Sequence, residues 1–332
     1  MDGSHRGDTG MIFDSFLDAN GWGDARQEPL AGDASSRRYI RLYSGAKRAI
    51  LMIDPQGDTA CFAHLATHLR QVNLSAPEVY DHTSNLMLLE DLGDAQFARV
   101  AKDQPDMECT LYAAATDVLC HLETRLAPSD LTSATPEHLG RMIEPAFTHY
   151  LPLLGQNAGA SASEIQLRLT DLLSRHLPPD RVIVLRDYHA ENLIWLPDRD
   201  DVRRVGLLDF QDALEGPPIY DLVSLLQDAR RDVSDNCYDE TLARYIDQSG
   251  RSESSVLPAF HLLGLQRNLR ILGIFARLAM EQGKPAYLSL IPRVWRYIKT
   301  SLASPIAREV EPLITDLFPE PTPERLTLRA LS

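Results

Sequence analysis

Residues 182–210 read VIVLRDYHAENLIWLPDRDDVRRVGLLDF. The segment holds three short apolar runs, VIVL, LIWL and RVGLL, with a polar break after the first and the charged turn PDRDD between the other two. Runs of this length, bounded by turn residues, predict strands. Pairing LIWL with RVGLL as an antiparallel hairpin puts the start of one strand beside the end of the other. Asn192 and Asp209 then face each other at the open end, with Asp187 a few residues upstream. An amide oxygen beside a carboxylate suits a hard cation such as Mg²⁺, which takes oxygen ligands and keeps waters or substrate phosphates in its remaining positions. Clustered acids without a cation would repel one another and resist ionisation. Phosphoryl transfer from ATP needs both a metal to neutralise phosphate charge and a residue that orients and deprotonates the acceptor hydroxyl. Asp187 is placed for the second task, worth roughly 10²–10⁴ in rate.

Upstream of this island the pattern is β-rich. RRYIRLYS and KRAILMID are two strands joined by the hairpin signal Gly45-Ala46. A helical pattern follows from Asp58 to Val72, then two more strands, APEVYDH and NLMLLED, after a short amphipathic start (Met11 to Asn20). From Gly93 onward, 107–126, 138–154 and 162–177 carry apolar residues at i, i+3, i+4, the spacing of one helix face. Helices resume at Ile219–Arg231, Tyr238–Gln248, Val256–Glu281 and Tyr287–Leu302, ahead of a proline-rich tail. The expected class is α+β. An antiparallel-sheet lobe with its hinge occupies residues 1–92, a mainly helical lobe 93–332, and a cleft is expected between them.

The chain has 332 residues and a net charge of −14. That excess repels nucleic-acid backbones and anionic lipid. Apolar runs such as ILGIFA (271–276) are broken by Arg277, far short of the roughly 20 residues that span a bilayer, and no signal peptide is visible. The four cysteines show no CxxC pair and no metal-like spacing, the pattern of reduced thiols. No P-loop, GxGxxG or nucleophile elbow is present. The expectation is a cytoplasmic, acidic, monomeric protein that meets no nucleic acid and no membrane.

The run DYHAEN followed by LLDF resembles the catalytic and metal-binding loops of the aminoglycoside phosphotransferase family, which has a bilobal protein-kinase-like fold. GDASSRRYIR (32–41) stands where that family has a phosphate-covering hairpin, and MLLEDLGD (87–94) where it has a hinge. The blocks LRDYHAENLIWLP, VGLLDFQDA, YDLVSLLQDARRDV and QRNLRILGIFARL resemble one branch, the bacterial anomeric kinases of N-acetylmuramate and N-acetylglucosamine, which act on the C1 hydroxyl in cell-wall recycling. The resemblance implies ATP and Mg²⁺ as cofactors and an amino sugar as partner. It makes Asp187 the catalytic base, and Asn192 and Asp209 the metal ligands. The backbone of Ala34, Ser35 and Ser36 would cover the phosphates, and the main chain of Glu90 and Leu92 would meet adenine. Asp221 would brace the catalytic loop or simply sit favourably at a helix N-terminus. His189, Asp212, Glu215 and Arg231 are candidates for substrate contact, and an anionic substrate group would want an arginine fork.

The sequence departs from the family in two places. Leu185 stands where a histidine is usual. The strand AILMID has no lysine to grip the nucleotide phosphates, Met52 taking that place, and the following helix has no glutamate to partner one. Both halves of that ion pair being absent is self-consistent, because a lone buried partner would be costly. Arg38 or Arg41 is the expected substitute. The same motifs leave open a phosphotransferase for an aminoglycoside or a choline-like alcohol, and an inactive kinase-like scaffold.

Overall fold

The computed structural model describes residues 13–30, 37–57 and 59–327. Two compact units emerge. One comprises the chain up to Ala95 together with Leu193–Gln211, and the other Gln96–Asn192 with the chain from Asp212 onward. The first unit is therefore discontinuous, where the sequence pattern gave contiguous lobes of 1–92 and 93–332.

In the first unit residues 13–19 are helical (α1). Strands β1 (Arg26–Pro29), β2 (Arg38–Ser44), β3 (Lys47–Ile53), β4 (Val79–His82) and β5 (Leu86–Glu90) form one antiparallel sheet in the order β1-β2-β3-β5-β4. The β2–β3 register runs from Ser44 opposite Lys47 to Arg38 opposite Ile53. Gly45 takes the positive φ (59°) that this tight connection requires. Even-numbered β2 residues point to one side: Leu42 and Ile40 pack with Phe16, Leu17, Trp22, Ala49 and Leu51. Odd-numbered ones point to the other. Helix α2 (Thr59–Gln71) connects β3 to β4. β1 was missed, because RQEP is a polar edge strand ending in proline.

Two strands of the β island, β7 (Leu193–Trp195) and β8 (Val205–Leu207), form the expected hairpin, Leu193 opposite Leu207. The hairpin joins the first unit through Ser75, whose carbonyl accepts from Leu207 N at 2.9 Å and whose hydroxyl donates to Arg203 O at 2.7 Å. Trp195 N also donates to Ala95 O at 2.7 Å. β6 (Val182–Val184) instead pairs with β9 (Leu214–Gly216), in the second unit.

The second unit holds α3 (Phe97–Asp103), α4 (Glu108–Glu123), α5 (Pro136–Arg141), α6 (Leu151–Leu153) and α7 (Ser161–His176), followed by α8 (Tyr220–Leu226), α9 (Asp235–Ser249), α10 (Glu253–Glu281) and α11 (Ile291–Leu302). Short helices α12 (Glu311–Leu317) and α13 (Pro323–Thr327) end the description. Two expected helices are corrected. The 138–154 stretch breaks into α5, a π turn (Ala146–Tyr150) and α6, because Pro145 cannot continue a regular helix. There α10 comes so close that a Cβ on Gly273 would stand 2.0 Å from the Pro145 carbonyl carbon. The 219–231 helix stops at Leu226: Asp228 Oδ1 accepts from Arg230 N at 2.8 Å and forms a turn instead.

Candidate active site

The loop from Leu185 to Asn192 belongs to the second unit and is held by its own hydrogen bonds. Asp221, at the start of α8 and 2 % exposed, accepts from Leu185 N at 2.6 Å and from Arg186 N at 2.9 Å. The carboxylate thus braces the loop directly. Burial pushes its pKa up to about 7, against the pull of the two N–H groups. Arg186 adopts a left-handed φ of 69°, uncommon for a side chain of this size. Ser224 Oγ donates to its carbonyl at 2.8 Å, and its own Nη1 to Asp212 O at 2.9 Å. Such strained positions persist where the surroundings over-determine them, and they concentrate at functional sites.

Asp187, partly exposed, follows this bend. Its carbonyl accepts from Asn192 Nδ2 at 2.9 Å. The expected base and one expected metal ligand are thereby joined within one short turn, and the amide is orientated so that its oxygen is the end not used by this bond. Tyr188 lies in the core, its hydroxyl donating to Ala115 O at 2.9 Å. His189 is buried, and burial pushes its pKa down to about 4, so the ring is neutral at neutral pH. Arg230 Nη1 lies 3.2 Å from His189 Nε2, and Arg230 is paired with Glu191 at 2.9 Å.

The other substrate candidates differ in placement. Asp212 is exposed and Glu215 lies half-buried in β9. Arg231 is committed to Glu108 at 2.6 Å and to the Tyr112 hydroxyl at 2.6 Å, tying α4 to the turn before α9. On α10, Arg267 and Arg270 stand three residues apart and so share a face. Arg267 is 5 % exposed, with one 3.4 Å donation to Gln227 O. Among the described residues neither arginine forms an ion pair. Arg270 is electrostatically coupled to Asp187, Arg186 and Arg267, and burial pushes its pKa down.

Asp209 belongs to the first unit, two residues beyond β8. It is exposed, has a left-handed φ of 57° and accepts from Gln211 Nε2 at 2.8 Å. Phe210 behind it is buried against Phe62, ring centroids 4.7 Å apart. Within this unit the charge of Asp209 acts on Arg37 and Tyr39.

At the end of β5, Glu90 N donates to Glu78 O at 2.8 Å, and its side chain pairs with Arg199. Arg41 is corrected as a phosphate ligand. It is 5 % exposed and bound to Asp91 (2.9 Å) and Asp94 (2.8 Å), an ion-pair cluster that holds the segment after β5 to β2. Arg38 is exposed and shares the face of Ile40 and Leu42. Met52 is fully buried in β3 and α2 carries no acid, as expected. Ala34, Ser35 and Ser36 lie outside the described residues. Among the described residues the four cysteines form no disulfide.

One amide oxygen and one carboxylate are hard donors that fit Mg²⁺, provided that phosphates and water fill the other positions. Among the described residues no three His, Cys, Asp or Glu side chains gather into a cage that would bind metal alone. No described helix is long and apolar enough to cross a membrane.

The family model described as the phosphotransferase enzyme family matches residues 26–256. The chain belongs to that family. It is 36 % identical over 341 aligned positions to the N-acetylmuramate/N-acetylglucosamine kinase of Caulobacter vibrioides, covering 90 % of this chain and 93 % of that one. The likeness to the Pseudomonas aeruginosa protein of the same name is 32 %, covering 86 % and 87 %. Among solved structures, the choline kinase LicA of Streptococcus pneumoniae superposes with a TM-score of 0.62 at 14 % identity, over 88 % of this chain and 99 % of that one. A putative aminoglycoside phosphotransferase from Ralstonia eutropha gives 0.58 at 16 %, over 87 % and 97 %. The α+β, protein-kinase-like phosphotransferase fold is borne out.

Proposed function

We propose that this phosphotransferase moves the γ-phosphoryl of ATP to the C1 hydroxyl of N-acetylmuramate or N-acetylglucosamine. The observation that carries the transferase reading is the 2.9 Å bond from the Asn192 amide to the Asp187 carbonyl, in a loop braced by Asp221. It supports this reading by tying the side chain of the proposed metal ligand to the backbone of the proposed base, five residues apart in sequence. The choice of sugar rests on relatives of that name aligned over most of both chains.

In this reading Asp187 orients the sugar hydroxyl and takes its proton. Asn192 and Asp209 hold Mg²⁺, which supplies neutralising charge at the phosphates when bound. The Glu90 carbonyl and Leu92 N–H meet adenine, since Glu90 N–H is already spent on Glu78. Ala34 to Ser36 cover the phosphates. Arg267 and Arg270, which form no ion pair among the described residues, are the arginines that an anionic acceptor would meet. The lactyl carboxylate of N-acetylmuramate is such an anion, and N-acetylglucosamine lacks it. His189, held neutral by burial, contacts the sugar or keeps the loop in place, and Asp212 and Glu215 remain candidates for its hydroxyls.

The test is ATP consumption by the purified chain with N-acetylmuramate, N-acetylglucosamine, kanamycin and choline, with and without Mg²⁺. Turnover on the amino sugars alone supports the proposal. Turnover confined to kanamycin or choline rejects the sugar assignment, and no turnover on any acceptor rejects the enzyme.

A further inference from the structure

The nucleotide phosphates need a cation that β3 does not supply, since Met52 is buried there and α2 has no acidic residue to hold one. The β2–β3 register supplies a different pair. It ends with Arg38 opposite Ile53, and Arg37 and Asp54 are the residues just outside that last pair. Those two side chains meet, Arg37 Nε to Asp54 Oδ2, at 2.9 Å, with side-chain exposures of only 13 % and 2 %.

Asp54 is itself tightly held. Its Oδ1 accepts from Gln56 N at 2.9 Å, and its carbonyl accepts from Asn85 Nδ2 at 3.0 Å. Burial pushes its carboxyl up, but the Arg37 and Gln56 bonds outweigh that and leave it below its ordinary value. The pair is therefore an ion pair anchored at its buried carboxylate, not two surface charges meeting by chance.

The neighbours of Arg37 show which way the cation faces. Arg38 shares the side of Ile40 and Leu42, on which the α1 cluster packs. Arg37, just before β2, acts instead on the Tyr39 hydroxyl, and Tyr39 and Arg41 point to the opposite side of the strand from Ile40 and Leu42. Arg41 is spent on Asp91 and Asp94, whereas Asp209 acts on both Arg37 and Tyr39. Within the first unit, then, a braced guanidinium and the proposed metal carboxylate share one neighbourhood. A planar fork of this kind binds phosphate oxygens as well as carboxylate ones.

We infer that Arg37, held by Asp54, grips the nucleotide phosphates in this chain, standing in from the second strand for the lysine that kinase-like folds carry on the third. The inference rests on the reading of the chain as an ATP-dependent kinase. Asp54 is a positioning residue: it fixes the guanidinium and touches no substrate.

The experiment is equilibrium binding of MgADP and of adenosine to the full chain, by calorimetry, with thermal unfolding as a check on folding. Arg37→Gln weakens MgADP about 10- to 100-fold, the size of a lost charge-assisted contact, and leaves adenosine within about two-fold. Arg37→Lys recovers part of the loss. Asp54→Asn loses less than Arg37→Gln, because the cation remains but is no longer held. If Arg37→Gln strands the buried Asp54 charge and unfolds, the double variant Arg37→Gln/Asp54→Asn removes that charge and still reports the phosphate contact. Folded variants that bind MgADP as tightly as wild type overturn the inference and make the pair a staple between strands. So does an equal loss for adenosine and MgADP. A wild type that binds neither ligand sinks the kinase reading, and this inference with it.

Discussion

Replacing Asp221 by alanine removes the acceptor of two buried N–H groups, those of Leu185 and Arg186, at 2.6 and 2.9 Å. Each stranded donor costs about 1–3 kcal/mol. Together they cost about 2–6 kcal/mol of loop order, and the left-handed bend at Arg186 loses what over-determines it. The expected result is a loss of kcat larger than about 10², with the ATP KM changed only a few-fold, since the brace acts on Asp187 and not on the hinge. Asp221→Asn keeps the size and removes the titration; it also gives up one of the two acceptors, since an amide NH2 cannot accept, which lowers stability by an amount that does not vary with pH. Asp221 is an acid whose folded value, about 7, lies above its ordinary value of 3.8. The folded state therefore binds more protons than the unfolded one between about pH 4 and pH 7. Wild-type stability relative to Asp221→Asn should fall as pH rises through that window, by at most about 4 kcal/mol. Urea unfolding at pH 5, 6, 7 and 8, together with steady-state kinetics, reads both effects. Asp221→Ala with wild-type kcat, or a stability difference flat in pH, would refute the reasoning.

Other expectations concern the site and its support. Asp187→Ala should keep folding and nucleotide binding while turnover drops by at least about 10²; near-normal turnover would reassign the base. Asp209→Asn should raise the Mg²⁺ concentration for half-maximal rate, and an unchanged metal titration would count against it as a ligand. Arg270→Met should raise the KM for N-acetylmuramate about 10-fold or more and that for N-acetylglucosamine far less, a comparison that competition kinetics makes directly. Gly273→Ala should destabilise by about 1–3 kcal/mol or more, because its Cβ would meet Pro145 backbone 2.0 Å away; wild-type unfolding would show that α10 can shift at no cost.

Much of this was legible in the sequence because the signals were local. The Gly45-Ala46 turn fixed the β2–β3 hairpin, and the PDRDD turn fixed β7–β8 with Asn192 and Asp209 flanking it. What escaped depended on partners remote in sequence. β9 is only three residues long and exists by pairing with β6, thirty residues upstream. The hairpin 193–211 lies in sequence within the helical lobe expected at 93–332, yet it is bonded to Ser75 and Ala95 of the first unit. Arg41 looked like a phosphate ligand because Asp91 and Asp94, fifty residues on, gave no sign of claiming it. Arg37 and Asp54 could have been found. A tight turn at Gly45-Ala46 implies a register that brings position 37 level with position 54, so the pair was latent in the hairpin signal.

The most direct measurement is the phosphorus-31 spectrum of the product made from MgATP and N-acetylmuramate by wild type and by Asp187→Asn. The account requires a sugar phosphate whose phosphorus couples to the anomeric proton, formed by wild type and nearly absent with the variant. A phosphate on another hydroxyl, or equal product from both proteins, would contradict it.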